Sequence, residues 1–205
     1  MRRPARLSEI SRRSWLLAGL ATPLFRVRAA DSVAVTFDGD NLHVVVPRLH
    51  FLAGKPLDRL MDGASVAFFV QLTLFGQDHG TVLRRLPHQL VFSYDLWEEN
   101  FSVRRLGSVP RSAFRLSVVS AEAWCLEDLE ISASGLAPDR PFWLRFELRA
   151  ADPIESSSVV ANEGVSIARL IEIFSRKPSA GEPHWALEAG PLRVADLVRT
   201  YGRRT

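Results

Sequence analysis

Between residues 66 and 75 every second side chain falls into one of two sets. Val66, Phe68, Val70, Leu72 and Leu74 form one, and Ala67, Phe69, Gln71, Thr73 and Phe75 the other. A period of two places successive side chains on opposite faces of a strand. The same period returns at Phe142, Leu144, Phe146 and Leu148, set against Trp143, Arg145, Glu147 and Arg149. Val33, Val35 and Phe37 alternate likewise, and Asp38-Gly39-Asp40-Asn41 supplies a turn before Leu42, Val44 and Val46, which predicts a hairpin. Further strands are predicted over Thr81–Leu86, over Leu90, Phe92, Tyr94 and Leu96, over Phe101–Leu106 after a turn at Glu98-Glu99-Asn100, and at Phe114, Leu116 and Val118. The reading is a mainly β chain: an antiparallel β-sandwich or open barrel of seven to eight strands.

Two or three helices are expected on this sheet, mostly C-terminal, from about residue 165. Residues 121–130 read as one, with Ser120 as N-cap. Residues 166–176 read as another, with Ile167, Leu170, Ile171 and Phe174 on one face. Pro191–Tyr201 reads as a third, its proline suited to a first helical turn. A Ser-rich loop, Pro153–Gly164, and a polar connection, Lys177–Pro183, separate them. The stretch after Asp152 is too short to build its own core, so residues 30–205 are expected to form one β-rich domain. The single cysteine, Cys125, has no partner for an intrachain disulfide and sits among apolar neighbours. It reads as a buried hydrophobe.

The first 29 residues differ in kind. Arg2, Arg3, Arg6, Arg12 and Arg13 precede an apolar run from Trp15 to Phe25, which is too short to cross a ~30 Å hydrocarbon layer as a helix. Val27-Arg28-Ala29 then offers a cleavage point before Ala30. Ser11, Arg12, Arg13, Ser14, Trp15 and Leu16 resemble the twin-arginine export signal, in which a hydroxyl residue and two arginines precede a variable residue, an aromatic and a leucine. That resemblance implies a signal peptide over 1–29 and a periplasmic or secreted mature protein; an ordinary Sec signal is the alternative. The segment also carries the chain's basic balance. It holds seven of the 26 basic residues and one of the 23 acidic ones, leaving 19 against 22, a formal charge of −3 instead of +3. Nucleic acid is therefore not an expected partner, and membrane contact is expected only through the signal segment.

Chemistry is harder to find. No Gly-x-Ser-x-Gly, Gly-x-Gly-x-x-Gly or phosphate-loop pattern occurs. His43, His50, His79, His88 and His184 lack the short spacings of a metal site. No catalytic, cofactor-binding or metal-ligating residue is assigned. Asp95, Glu98 and Glu99 beside Trp97 place carboxylates next to an aromatic, as glycosidases do, although a charged hairpin tip explains them equally. Trp143, Arg145 and Arg149, on the outward set of their strand, together with Asp95 and Trp97, make the candidate binding surface. The other reading of Trp143 is burial beneath a C-terminal helix.

Phe51-Leu52-Ala53-Gly54-Lys55-Pro56-Leu57, followed by Leu60, Gly63 and the strand Val66–Leu74, then Val91–Phe101 and the residues around Trp124, resemble a family of exported bacterial domains of unknown function. The resemblance spans most of residues 33–150 and rests on fold determinants: Gly54, Pro56 and Gly63 would shape a turn and a short helix. It implies a fold and a compartment and no catalytic residues. The expected function is a non-enzymatic periplasmic domain that binds a protein partner or assists envelope assembly. A carbohydrate- or cell-wall-binding module is the first alternative, and an unrecognised hydrolase the second. The expected partner is thus an envelope protein or a cell-wall glycan, with no cofactor.

Overall fold

The computed structural model describes residues 33–107, 109–151, 172–176 and 183–197. The export-signal residues Ser11, Arg12, Arg13, Trp15 and Leu16 lie outside these, as do the loop 153–164, the greater part of the connection 177–183 and residues 166–171 of the helix expected over 166–176. Among the described residues, nine strands form two antiparallel sheets, and neither sheet closes into a barrel. The smaller has the order β1 (Ala34–Phe37), β2 (Asn41–Val45), β7 (Leu129–Ser132). The larger runs β6 (Arg111–Leu116), β5 (Asn100–Leu106), β4 (Val82–Asp95), β3 (Val66–Phe75), β8 (Phe142–Ala150), β9 (His184–Leu192).

The strongest alternations become the centre of the large sheet. β3 pairs with β4 on one side and β8 on the other, with Phe68 opposite Leu90 and Ala150, and Leu72 opposite Leu86 and Phe146. Their inward side chains meet Leu42, Val44, Leu129 and Ile131 of the small sheet in one core. Phe51, Phe68 and Phe92 lie edge to face at 5.1–6.0 Å, and Trp185 of β9 joins Phe51 at 6.2 Å. Such T-shaped contacts suit the aromatic quadrupole. The short helix α1 (Lys55–Met61) starts after Gly54, whose φ of 60° favours glycine. It closes with Gly63 N–H on the Leu60 carbonyl at 2.9 Å, and Leu60 enters the core.

The opposite face of β3 is buried too. Ala67 and Phe69, with Val91 of β4 and Ala151, receive Ile173 from the helical residues 172–175. Arg149 fixes this contact. It is buried, and its Nη1 donates to the Ile173 carbonyl at 2.9 Å and the Arg176 carbonyl at 2.8 Å.

Five expectations are corrected. The helix α2 occupies Val118–Leu126, not 121–130, because Ser117 is the N-cap: its hydroxyl accepts the Ser120 N–H at 3.2 Å. Val118 therefore belongs to a helix, not a strand. Residues 129–132 form strand β7, where Leu129 and Ile131 face the core against β2. Pro191 lies in β9, which is zipped onto β8 from His184 to Leu192, so no helix starts there; Val194–Asp196 is a single 3₁₀ turn, and residues 198–201 lie outside those described. The two predicted segments 81–86 and 90–96 are one 14-residue strand, β4, running through Pro87.

Beneath α2 the core edge carries polar groups. Arg105 of β5 is buried, donates to the Glu127 carbonyl at 2.9 Å and lies 5.7 Å from the Trp124 ring centroid. His88 of β4 is largely buried, and burial, aided by the Arg105 charge, lowers its pKa to about 4. Gly107 is required beside it, since a Cβ there would come within 2.7 Å of the imidazole. Burial pushes the Cys125 thiol up, the reverse of an activated nucleophile.

Candidate functional site

The β4–β5 hairpin ends in a rigid tip. Asp95 Oδ1 accepts the N–H groups of Trp97 at 2.8 Å and Glu98 at 3.0 Å, and Asn100 Nδ2 donates to Glu98 Oε2 at 3.1 Å. These donors hold the Asp95 carboxyl below the usual carboxylate range. A glycosidic general acid requires the opposite shift. Asp95 is accordingly a turn-former, whose role is to fix the backbone of Leu96 and Trp97. Trp97 is 96% exposed and Leu96 58%, and Met61, at the end of α1, is exposed as well. Leu96 leans on the α1 terminus, with its Cδ1 3.4 Å from where a Gly63 Cβ would stand. The tip is an apolar knob bordered by Asp62, Glu98 and Glu99, with Arg115 Nε 3.6 Å from Glu98 Oε2.

Trp143, Arg145 and Arg149 do not join Trp97 in one surface. Trp143 sits opposite Phe75 and the Asp95 turn lies beyond Phe92, which pairs with Val66. The length of β3, ten residues at ~3.3 Å each, or roughly 30 Å, separates Trp143 from the tip, whereas Arg149, opposite Phe69, lies towards the tip end of the sheet and is committed to residues 172–176 instead. Nor are these side chains idle. Trp143 packs between Gly190, where a Cβ would meet the indole at 2.5 Å, and His79, 4.0 Å between ring centroids. It lies at the far end of β8 from Arg149, which holds residues 172–176, so it is not beneath that helical turn. Arg145 donates to Glu188 at 3.0 Å and stands 4.9 Å from the Phe75 centroid. Of the five residues proposed as one surface, Asp95 and Trp97 remain together and the other three brace the sheet.

A second feature escaped the sequence reading. Between Val44–His50 and α2 lies a cleft of about 570 Å³, lined by Val44, Val46, Leu49, Val119 and Leu126. At its wall Glu122 is buried, and its carboxylate accepts the Leu52 N–H at 2.7 Å and His50 Nδ1–H at 3.0 Å. The His50 side chain itself is largely exposed. His43 meets Asp38 at 2.8 Å. No group of three or more metal-ligating side chains forms among the described residues. A carboxylate inside the apolar stretch Ala121–Leu126 was the available signal for the cleft, since such a group must find donors.

Comparison of the chain with family models, curated proteins and solved structures finds no match to any of the three.

Proposed function

We propose that the chain is an exported, non-enzymatic domain that binds a protein partner through the β4–β5 tip. The observation that carries this reading is Trp97, which buries almost nothing within its own fold and is held on a turn fixed by Asp95. A large aromatic presented on a rigid turn loses little conformational entropy on docking, and tryptophan is enriched among the residues that dominate interfaces. The acidic border of Asp62, Glu98 and Glu99 suits a partner whose apolar pocket has a basic rim. The resemblance of residues 33–150 to exported bacterial domains implies the same compartment.

A photo-crosslinking residue at Leu96, activated in cells, is expected to trap one protein in stoichiometric amount. Trp97→Ala is expected to leave folding stability within ~0.5 kcal/mol. It should weaken binding of that purified partner by about 100-fold, the scale of a hot-spot residue. Undiminished binding by the variant overturns the assignment. Retention of the wild type on isolated cell wall, with no crosslinked protein, would favour the glycan-binding alternative instead.

Export through the twin-arginine route supplies the compartment in this proposal. Arg12→Lys combined with Arg13→Lys is expected to leave precursor in the cytoplasm on fractionation, whereas normal maturation would favour Sec. The mature N-terminus is expected at Ala30, which sequencing of the exported form checks.

A further inference from the structure

The cleft beside His50 is an interrupted sheet. β7 pairs with β2 only as far as Val44 opposite Leu129, because the chain before Leu129 turns away through Glu127 and Asp128 into α2. Past Val44, the segment that continues β2 has the open cleft on that side, with α2 as the far wall. Among the described residues, the backbone groups of Arg48, Leu49, His50 and Phe51 make no hydrogen bond to another backbone group. Each such group needs a partner when water is displaced, and a row of them is the template used in strand addition. The row is also held in place, since Glu122 binds both the Leu52 amide and the His50 ring.

We infer that this cleft takes an extended peptide segment of a partner protein, laid alongside Val45–His50 as an added strand where β7 is lacking. Two further observations select a peptide. The lining alternates in function: backbone donors and acceptors on one wall, and the apolar side chains Val46, Leu49, Val119 and Leu126 to receive every second side chain of the guest. The rim carries both signs, with Arg48 and Glu127 exposed and neither in an ion pair with a described residue. A polypeptide bearing both charges answers this better than a simple anion or cation. The site is separate from the β4–β5 tip, so the failure of either leaves the other standing.

The test is amide hydrogen exchange on the isotope-labelled protein with millimolar acetyl-Lys-Val-Thr-Val-Thr-Glu-amide as probe. Because successive amides of a strand point to opposite edges, exchange at one alternate set, Arg48 and His50 or else Leu49, is expected to slow by about tenfold or more. The same peptide N-methylated at alternate residues, which cannot complete the ladder, is expected to have no effect. Val119→Arg fills the cleft from an exposed position, so the fold should be unchanged in a thermal melt while the protection disappears. Trp97→Ala should retain the protection. The inference is overturned if no protection appears, if the N-methylated peptide protects equally, if Val119→Arg folds and still binds, or if Trp97→Ala abolishes the effect.

Discussion

Replacing Arg149 with methionine is expected to cost about 3–5 kcal/mol of folding stability, the range seen when one member of a buried charged network is removed. Methionine keeps most of the aliphatic stem, so the loss is not a cavity. It arises because the Ile173 and Arg176 carbonyls lose their shared donor, and Glu147, 3.4 Å from Nη2, loses a counter-charge in a mostly buried position. Urea melts measure the loss, and amide exchange at residues 172–176 locates it. Arg149→Lys should recover only part, because one ammonium lacks the planar fork. A loss under ~1 kcal/mol would show that Ile173 docks on Phe69 by apolar contact alone.

Acid is expected to weaken the fold through His88. Its folded pKa of about 4 lies below its ordinary value of 6.5, because burial disfavours the imidazolium and the Arg105 charge adds to that. Between these values the unfolded chain binds a proton that the folded chain refuses, so stability falls as pH drops from 6.5 towards 4 and this contribution levels off below. The gap corresponds to on the order of 3 kcal/mol. Denaturant melts at intervals across the window read it directly, and His88→Leu should flatten the slope there. Carboxylates with lowered pKa, such as Asp38 at about 2, act in a more acidic range and do not blur the result. An unchanged slope in His88→Leu would place the acid-sensitive group elsewhere.

The sequence announced β1 to β6 and β8, where alternation runs long or lies beside a clear turn, and both faces of β3. It was poorer where the deciding partner is distant. Residues 129–132 are four residues long, and what makes them a strand is Leu42 and Val44 across the small sheet, some 85 positions earlier in the chain. β9 was hidden by Gly190-Pro191, a pair that normally punctuates; its place is set by pairing with β8. A turn was legible at Glu98-Glu99-Asn100, but Leu96 and Trp97 read as strand; the chain turns from Leu96 because Asp95 accepts the Trp97 and Glu98 N–H groups, interactions that span only two or three residues. The cleft was not, since Glu122 and the Leu52 amide it binds are 70 residues apart. Arg149 alternated with apolar residues and so read as outward; that its outward face is covered depends on residues beyond position 170.

The position of β3 also bears on the order of synthesis. Its partner β4 follows it directly, whereas β8 begins at Phe142, after β4, β5, β6, α2 and β7 have all been made. Until then one whole side of a strand that is apolar nearly throughout offers free amides and carbonyls to any neighbouring chain. Late arrival of the neighbour also lengthens the loop that must close before the contact is rewarded. The most vulnerable moment of this domain therefore falls late in translation, with the hairpin meander complete and its central strand still half unmatched.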